Sequence, residues 1–375
     1  MDHKDYMRRA LELAAQAGAE GDVPVGCVIV RDGAIVGEGR NRREENGDAT
    51  AHAELEAIRD ACRRLGSWRL HRCTMYVTLE PCCHQGRQPP CTEAILKAGI
   101  ARVVVGSPDP NPLVAGKGSR LLREHGVQVE EHVLQAQCDR LNRAFLKYIS
   151  TGRPYVVMKY AMTMDGKIAA HTGASQWVTG EEARQHVQTL RHRHRAIMAG
   201  VGTVIADDPR LTCRLPGGRD PIRVICDTHL RTPLTAQVVT TAGQTPTWIA
   251  TCCADPERLA PYERAGCRML VLPERDGHVD LNALMDCLGK QEIDSVLLEG
   301  GGTLNWAALD QGVVDAVMAY VAPKLFGGRT AKTPVEGQGV DTPAAAIPLK
   351  NTTITQIGAD FLLESEVDRD VYRHH

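Results

Sequence analysis

The sequence predicts an α/β protein built from two domains, and three observations carry that reading. At 375 residues the chain exceeds what one hydrophobic core usually organises. Helical and strand-like apolar periods alternate along its length. The alternation breaks at Thr151-Gly152-Arg153-Pro154 and then starts afresh.

In the first half, Met7 to Ala17 has the pattern of an amphipathic helix. The stretch VGCVIVRDGAIVGEG is two apolar runs around Asp32-Gly33, a hairpin signal. Ala51 to Leu65 reads as a helix, with Leu55, Ile58, Cys62 and Leu65 recurring at helical spacing. Thr74 to Leu79 is a strand, and Thr92 to Ala98 is a short helix that Gly99 can stop. RVVVGS is a strand, RLLREHG a helix ending at Gly126, and VQVEEHV another strand. This predicts a layered domain on a mixed sheet. The boundary is placed between Tyr148 and Pro154, giving domains 1–148 and 149–375.

After a fresh strand that follows the break, the second half predicts a helix at Glu181 to His194. Strands AIMAG, IRVICDT and TWIAT come next, then a helix at Leu281 to Leu288. Strand SVLLEGGG, a helix at Leu304 to Gln311 and strand AVMAYVAP complete it. No internal repeat or low-complexity tract interrupts the pattern.

Composition excludes several classes. Hydrophobic residues make up 43% and charged residues 24%, ordinary for a globular protein. The net charge is −2, and residues 1–150 carry 21 Lys+Arg against 20 Asp+Glu, so no basic footprint for nucleic acid is present. The first residues, MDHKDYMRRALELAAQAG, read as an amphipathic helix and not as a secretory leader. No apolar run reaches the roughly 18 residues of a membrane span. The 13 cysteines are odd in number and scattered. A reduced, cytoplasmic protein is expected, in which clustered cysteines mean metal more often than disulfides.

One such cluster is LEPCCHQGRQPPC, Leu79 to Cys91. Upstream, AHAE places His52 and Glu54 at the start of a helix. His-x-Glu followed by Pro-Cys and a second Cys is the signature of zinc deaminases. One imidazole and two thiolates leave zinc an open position for water. Zinc lowers the pKa of that water to about 7, so hydroxide is available at neutral pH. A carboxylate that is not a ligand must then carry protons to the leaving amine, and Glu54 is the candidate. In the compact form of the motif the second Cys lies three residues after the first; here that place is Gln85. The predicted ligands are His52, Cys82 and Cys91. Cys83 and His84 are expected to pack or line the pocket, because neighbouring side chains diverge.

The segments HAE, LEPC and H-x-G-R-x-P-P-C, with SPDPNPLVAGKG at Ser107 to Gly118, resemble the deaminase half of the RibD family of bifunctional riboflavin-biosynthesis enzymes. MKYAMTMDGKIA, SQWVTG, ADDPRLTCR and LLEGGGT resemble its reductase half, so the likeness covers nearly the whole chain. It implies a cytidine-deaminase-like three-layer domain followed by a dihydrofolate-reductase-like α/β domain. It implies hydrolytic deamination of 2,5-diamino-6-(5-phosphoribosylamino)pyrimidin-4(3H)-one, a phosphorylated small molecule. NADPH reduction of the ribosyl group to ribityl phosphate follows. The implied cofactors are one zinc ion per chain and NADPH. A homo-oligomer, dimer or tetramer, is expected, with neither nucleic acid nor membrane as partner.

In the second half, LLEGGGT and IMAGVGTV each put glycines between a strand and a helix, where backbone N–H groups can approach a phosphate. A tight turn is the alternative. By resemblance, Ala161, Trp177, Thr203, Asp207 and the run Gly301, Gly302, Thr303, Leu304, Asn305, Trp306, Ala307 contact NADPH. Ser175, Arg191, Leu211, Arg214 and Glu299 contact substrate. The planar forks of Arg191 and Arg214 suit a ribose phosphate. Other readings stand beside these: Arg191 as a solvated helix charge, Asp207-Asp208-Pro209 as a turn, Trp177 as core. Cys213, Cys252 and Cys253 read as buried or incidental.

One segment departs from the family. EGDVPVGCVIV and GEGRNRREENGDATAHAE are more similar to tRNA adenosine deaminases, and that resemblance makes Asn41 a base-binding candidate, with a turn asparagine as the alternative. A nucleobase or tRNA adenosine deaminase fused to a reductase-like domain is therefore a competing reading. A zinc-stabilised interaction module without catalysis is a third, against which Glu54 stands.

Overall fold

Both residues of the Asp32-Gly33 turn have positive φ, 50° and 79°. Such a turn matches the twist of the strands it joins, here β1 (Gly26–Arg31) and β2 (Ala34–Arg40), paired antiparallel. The structure is a computed structural model that describes residues 2–83, 90–111 and 114–368. It divides into two compact units, Met1–Ser150 and Thr151–His375.

In the first unit, β3 (Thr74–Leu79) runs antiparallel to β1, and β4 (Arg102–Ser107) and β5 (Gln128–Glu130) follow parallel. The sheet order is β2-β1-β3-β4-β5. Its helices are α1 (His3–Ala19), α2 (Arg43–Asn46), α3 (Ala53–Leu65), α4 (Cys91–Ala98), α5 (Lys117–Glu124) and α6 (Gln135–Thr151). Strand alternation divides the core into two clusters. Cys27, Ile29, Met75, Val77, Val103 and Val105 meet Ala57 and Ala61 of α3, Ile95 of α4 and Leu122 of α5. Val28, Val30, Tyr76 and Val104 meet Met7, Ala10 and Leu13 of α1, with Cys138 of α6. Three layers result, as the sequence reading expects.

Small residues set how closely α3 lies on the sheet. A Cβ at Gly39 would fall 2.2 Å from the Ala53 carbonyl oxygen, and one at Gly37 would fall 2.5 Å from that of Ala57. No side chain fits either place. β2 therefore fixes the height of the helix that carries His52 and Glu54 at its start.

The sequence reading missed α6. Its buried positions are Cys138, Asn142 and Lys147, so polar residues stand where an apolar stripe is sought. The strand expected over residues 127–133 shrinks to the three residues of β5.

The second unit is built on a nine-stranded sheet. Its strands are β6 (Tyr155–Thr163), β7 (Ala196–Gly200), β8 (Ile222–Cys226), β9 (Thr247–Thr251) and β10 (Arg268–Val271). A small hairpin, β11 (Glu274–Arg275) and β12 (His278–Val279), stands apart from it. β13 (Ser295–Leu298), β14 (Ala316–Ala322), β15 (Leu349–Ile357) and β16 (Asp360–Val367) complete it. The order is β10-β9-β8-β7-β13-β6-β14-β16-β15. It is parallel from β10 to β14 and antiparallel in the last two pairings. Helices α7 (Glu181–Arg193), α8 (Val201–Asp207), α9 (Gln237–Thr240), α10 (Pro256–Arg264), α11 (Leu281–Lys290) and α12 (Gly302–Asp310) accompany it. One face, with Met198, Val224, Val296 and Leu298, packs on Leu284 and Leu288 of α11 and Ala308 of α12. The other, with Ile197, Ile225 and Ile249, packs on Leu259 and Tyr262 of α10.

The reading did not anticipate α8, α10, β10 or the β15–β16 hairpin. Nearly all of β15, LKNTTITQI, is exposed, so it lacks the half-buried alternation by which strands are recognised. Among the described residues no helix is long and apolar enough to cross a membrane.

Candidate functional site

His52 is the N-cap residue of α3, with extended backbone at φ −78° and ψ 149°. Side chains at that point project past the helix end. Cys82 follows β3 by three residues, and Cys91 opens α4 after Pro90. Chain segments 39 residues apart in sequence thus converge: the Cys91 Sγ lies 3.4 Å from His52 Nδ1. The Cys91 backbone N–H donates to Cys82 Sγ at 3.3 Å. One donor atom from each of the three residues lies within 4.8 Å of the others, the one such His/Cys/Asp/Glu cluster among the described residues. With Zn–S near 2.3 Å and Zn–N near 2.0 Å, a tetrahedral ion needs donor separations of roughly 3.5 Å. One nitrogen and two sulfurs at this spacing fit zinc.

Cys83 is half-buried and outside the cluster; His84 and Gln85 lie outside the described residues. Hydrogen bonding from Cys91 draws the Cys82 thiol well below its ordinary range, while the same bond and burial push Cys91 up. Burial opposes protonation of His52, but its contacts with Cys82 and Glu54 outweigh this and raise it.

Glu54, in the first turn of α3, is 4% exposed. Burial pushes its carboxyl up, and His52 only partly counters this. A carboxyl in that condition can take and return protons. It faces a cavity of about 370 Å³ lined also by Val25, Asn41, Arg43, Glu80, Asp109 and Asn111. Asn41 is a braced wall residue. Its Oδ1 accepts from the Ala53 N–H and its Nδ2 donates to the Val23 carbonyl, both at 3.0 Å, tying the Asp22-Val23-Pro24 segment to the start of α3.

Sequence reasoning overlooked Arg43, Glu80, Asp109 and Asn111. Glu80 was legible as a charge between an apolar strand and a proline. Its carboxylate accepts backbone N–H groups of Asp109 at 3.3 Å, Gly116 at 3.0 Å and Ser119 at 3.1 Å, which wraps the loop after β4 against the cavity.

In the second unit, β7 and β13 are neighbours, and both glycine-rich turns leave their carboxyl ends. Ligands of open α/β sheets bind outside those ends. A Cβ at Gly301 would sit 3.8 Å from Thr203 Oγ1, so the two turns face each other. Gly302 lies under the segment 333–336; a Cβ there would strike the Glu336 side chain at 2.5 Å. Asn305 is buried, bonded through Nδ2 to the Pro334 carbonyl, and its Oδ1 has no partner among the described residues. Gly337 fits the Trp306 ring. Ala161 and Ala307 are half-buried, and Thr303 is exposed.

Ser175 Oγ donates to Asp207 at 3.3 Å, joining two of the expected contact residues. Trp177 is 55% exposed, with the Arg184 guanidinium 4.8 Å from its ring, so it is not core. Leu211 is buried at φ 53°, and Arg214 is exposed. Cys213, Cys252 and Cys253, read as buried or incidental, are half-buried. Arg191 is no solvated helix charge: its side chain is 13% exposed. Its fork grips Glu299 at 2.8 and 3.0 Å, and Lys159, which sequence reasoning did not single out, completes the group at 3.1 Å. The fork offered to a phosphate is therefore engaged by a carboxylate.

Comparison with known proteins agrees with this geometry. Residues 1–107 match the cytidine and deoxycytidylate deaminase zinc-binding region, and residues 154–363 match the RibD C-terminal domain. The riboflavin biosynthesis protein RibD of Actinobacillus pleuropneumoniae is 48% identical, over 97% of this chain and 95% of that protein. That of Escherichia coli K12 is 40% identical, over 97% and 99%. The structure of Acinetobacter baumannii RibD superposes with a TM-score of 0.82 at 36% identity, covering 98% of this chain and 99% of that one. A Thermotoga maritima structure, described as a diaminohydroxyphosphoribosylaminopyrimidine deaminase/5-amino-6-(5-phosphoribosylamino)uracil reductase, gives 0.81 at 34% identity, covering 97% and 98%. A zinc-binding deaminase domain and a reductase domain imply zinc and a nicotinamide cofactor. Matched in both halves and over nearly its full length, the chain belongs to the RibD family, the bifunctional deaminase and reductase enzymes of riboflavin biosynthesis.

Proposed function

We propose that the first unit deaminates the diaminohydroxyphosphoribosylaminopyrimidine named for the Thermotoga relative, and that the second reduces the product's ribosyl group with NADPH. The observation that carries the reading is Glu54, a buried carboxyl beside three converging donors and a cavity large enough for a base. His52, Cys82 and Cys91 would hold one zinc ion per chain. When bound, zinc supplies an open position at which water becomes a nucleophile at neutral pH. Glu54 takes one proton from the attacking water and gives it to a ring nitrogen; it then takes the second proton, from the hydroxyl of the tetrahedral adduct, and gives it to the amine that departs as ammonia. Asn41, fixed through both ends of its carboxamide, shapes the wall on which the base rests.

For the second unit, the facing turns at Gly200 to Thr203 and Gly300 to Gly302 support a dinucleotide at the carboxyl ends of β7 and β13. Thr203, Asp207, Trp177 and residues 301–307 would contact it, with Ala161 nearby on β6. Ser175, Leu211 and Arg214 would border the substrate, with the Lys159–Glu299–Arg191 group as its polar floor. A dimer or tetramer and a cytoplasmic setting accompany the reading.

Product analysis with the diamino-pyrimidinone phosphate tests it. Ammonia release without NADPH, and ribityl product only with it, is the expected result; release of ammonia with no NADPH oxidation would end the reductase half. For the ligand assignment, Cys91→Ser is expected to lose zinc and Cys83→Ser to keep about one per chain, read by metal analysis of the purified variants.

A further inference from the structure

Among the described residues that line the cavity beside His52 and Glu54, three are acidic, Glu54, Glu80 and Asp109, and Arg43 is the single lysine or arginine. Arg43 belongs to an arginine-rich segment whose other members are paired. Arg40 pairs with Glu20 at 2.7 Å, and Arg42 with Glu45 at 3.4 Å. Arg43 makes no ion pair among the described residues, although Glu44 and Glu45 follow it directly, and its Nε is shut away from solvent with no hydrogen-bond partner there. Its terminal nitrogens, neither shut away nor bonded among the described residues, are the donors that an anion in the cavity can engage.

The backbone beneath it is held firmly. The buried Asp22 carboxylate accepts the N–H groups of Arg43 at 3.1 Å, Glu44 at 3.1 Å and Glu45 at 3.4 Å, which fixes α2 at the cavity wall. A base attached to a phosphorylated sugar brings a dianion to this cavity along with the ring that Glu54 acts on. Resting on the deaminase substrate proposed above, we propose that Arg43 is a specificity-determining residue that binds the substrate's phosphate. Its planar fork suits phosphate oxygens, and its charge offsets the repulsion that the acidic wall would exert on them.

The test uses the full-length zinc-loaded chain and two substrates, the phosphoribosyl compound and the same compound after phosphatase treatment. The readout is the ratio of their kcat/KM values. R43Q is expected to lower that ratio about 10- to 100-fold, chiefly through KM for the phosphorylated substrate, as befits a charge-assisted hydrogen bond. R43K, which keeps the charge but not the fork, is expected to lower it about threefold to tenfold. An unchanged ratio in R43Q overturns the proposal; should R43Q not fold, an unchanged ratio in R43K does so. Unsubstituted enzyme that releases ammonia from neither substrate overturns the substrate reading itself, and the phosphate assignment with it. That result is distinct from turnover that is merely indifferent to the phosphate.

Discussion

The Glu54→Gln enzyme is expected to deaminate about 100- to 10,000-fold more slowly while its zinc content stays at one per chain. The substitution keeps the size of the side chain and removes only its ability to accept and return a proton. Glu54 sits in the first turn of α3 and is not one of the three clustered donors, so metal retention separates a proton carrier from a ligand. Ammonia release and metal analysis on one preparation decide the matter. Turnover near the unsubstituted level would refute the shuttle, and a parallel loss of zinc would make Glu54 a support for the metal site instead.

The second large effect concerns the reductase unit. Glu299→Gln is expected to destabilise it by about 3–5 kcal/mol, the usual cost of removing one partner from a buried charged group. Arg191 and Lys159 would be left as neighbouring buried cations, with side chains only 13% exposed. In the folded protein, burial alone would raise the Glu299 carboxyl, but Arg191 and Lys159 outweigh it and hold it far below the usual range. A depressed folded-state pKa stabilises wherever the unfolded carboxyl is already ionised, so the contribution is fully present above about pH 4.3. It is lost as the pH falls below that value. Urea unfolding at pH 7 should show the full gap between Glu299→Gln and the unsubstituted chain, and the gap should narrow progressively below about pH 4. A gap that does not change with pH would mean that packing, not charge, accounts for the loss.

What could be read without coordinates followed from local rules. Asp32-Gly33 announced its hairpin because both residues tolerate positive φ, and most strands of the two sheets announced themselves by apolar runs. The convergence of His52, Cys82 and Cys91 was legible because His-x-Glu and Pro-Cys impose chemistry at fixed spacing, and Gln85 redirected the choice of the second thiol to Cys91. The misses have physical causes as well. Helix α6 buries Asn142 and Lys147, and β15 buries almost nothing, so neither carries the pattern its class requires. Arg191 was read as a phosphate contact, with a solvated helix charge as the alternative; its pairing with Glu299 was out of reach because that residue lies 108 positions away and only the fold brings them together. Glu80 and Arg43 escaped notice for the same reason: their roles depend on what surrounds them, not on their neighbours in sequence.

The fit of α3 onto β2 extends the proposed catalytic apparatus beyond the residues that would touch a substrate. His52 and Glu54 ride on the end of a helix whose seat is cut by Gly37 and Gly39, and the seat has no slack. A methyl group on that strand acts as a shim, lifting the helix end and moving an imidazole and a carboxylate away from two sulfurs that stay in place. Screens for lost deamination would therefore return hits on an unremarkable strand. A designer who wished to transplant this chemistry would need to carry over the strand along with the side chains.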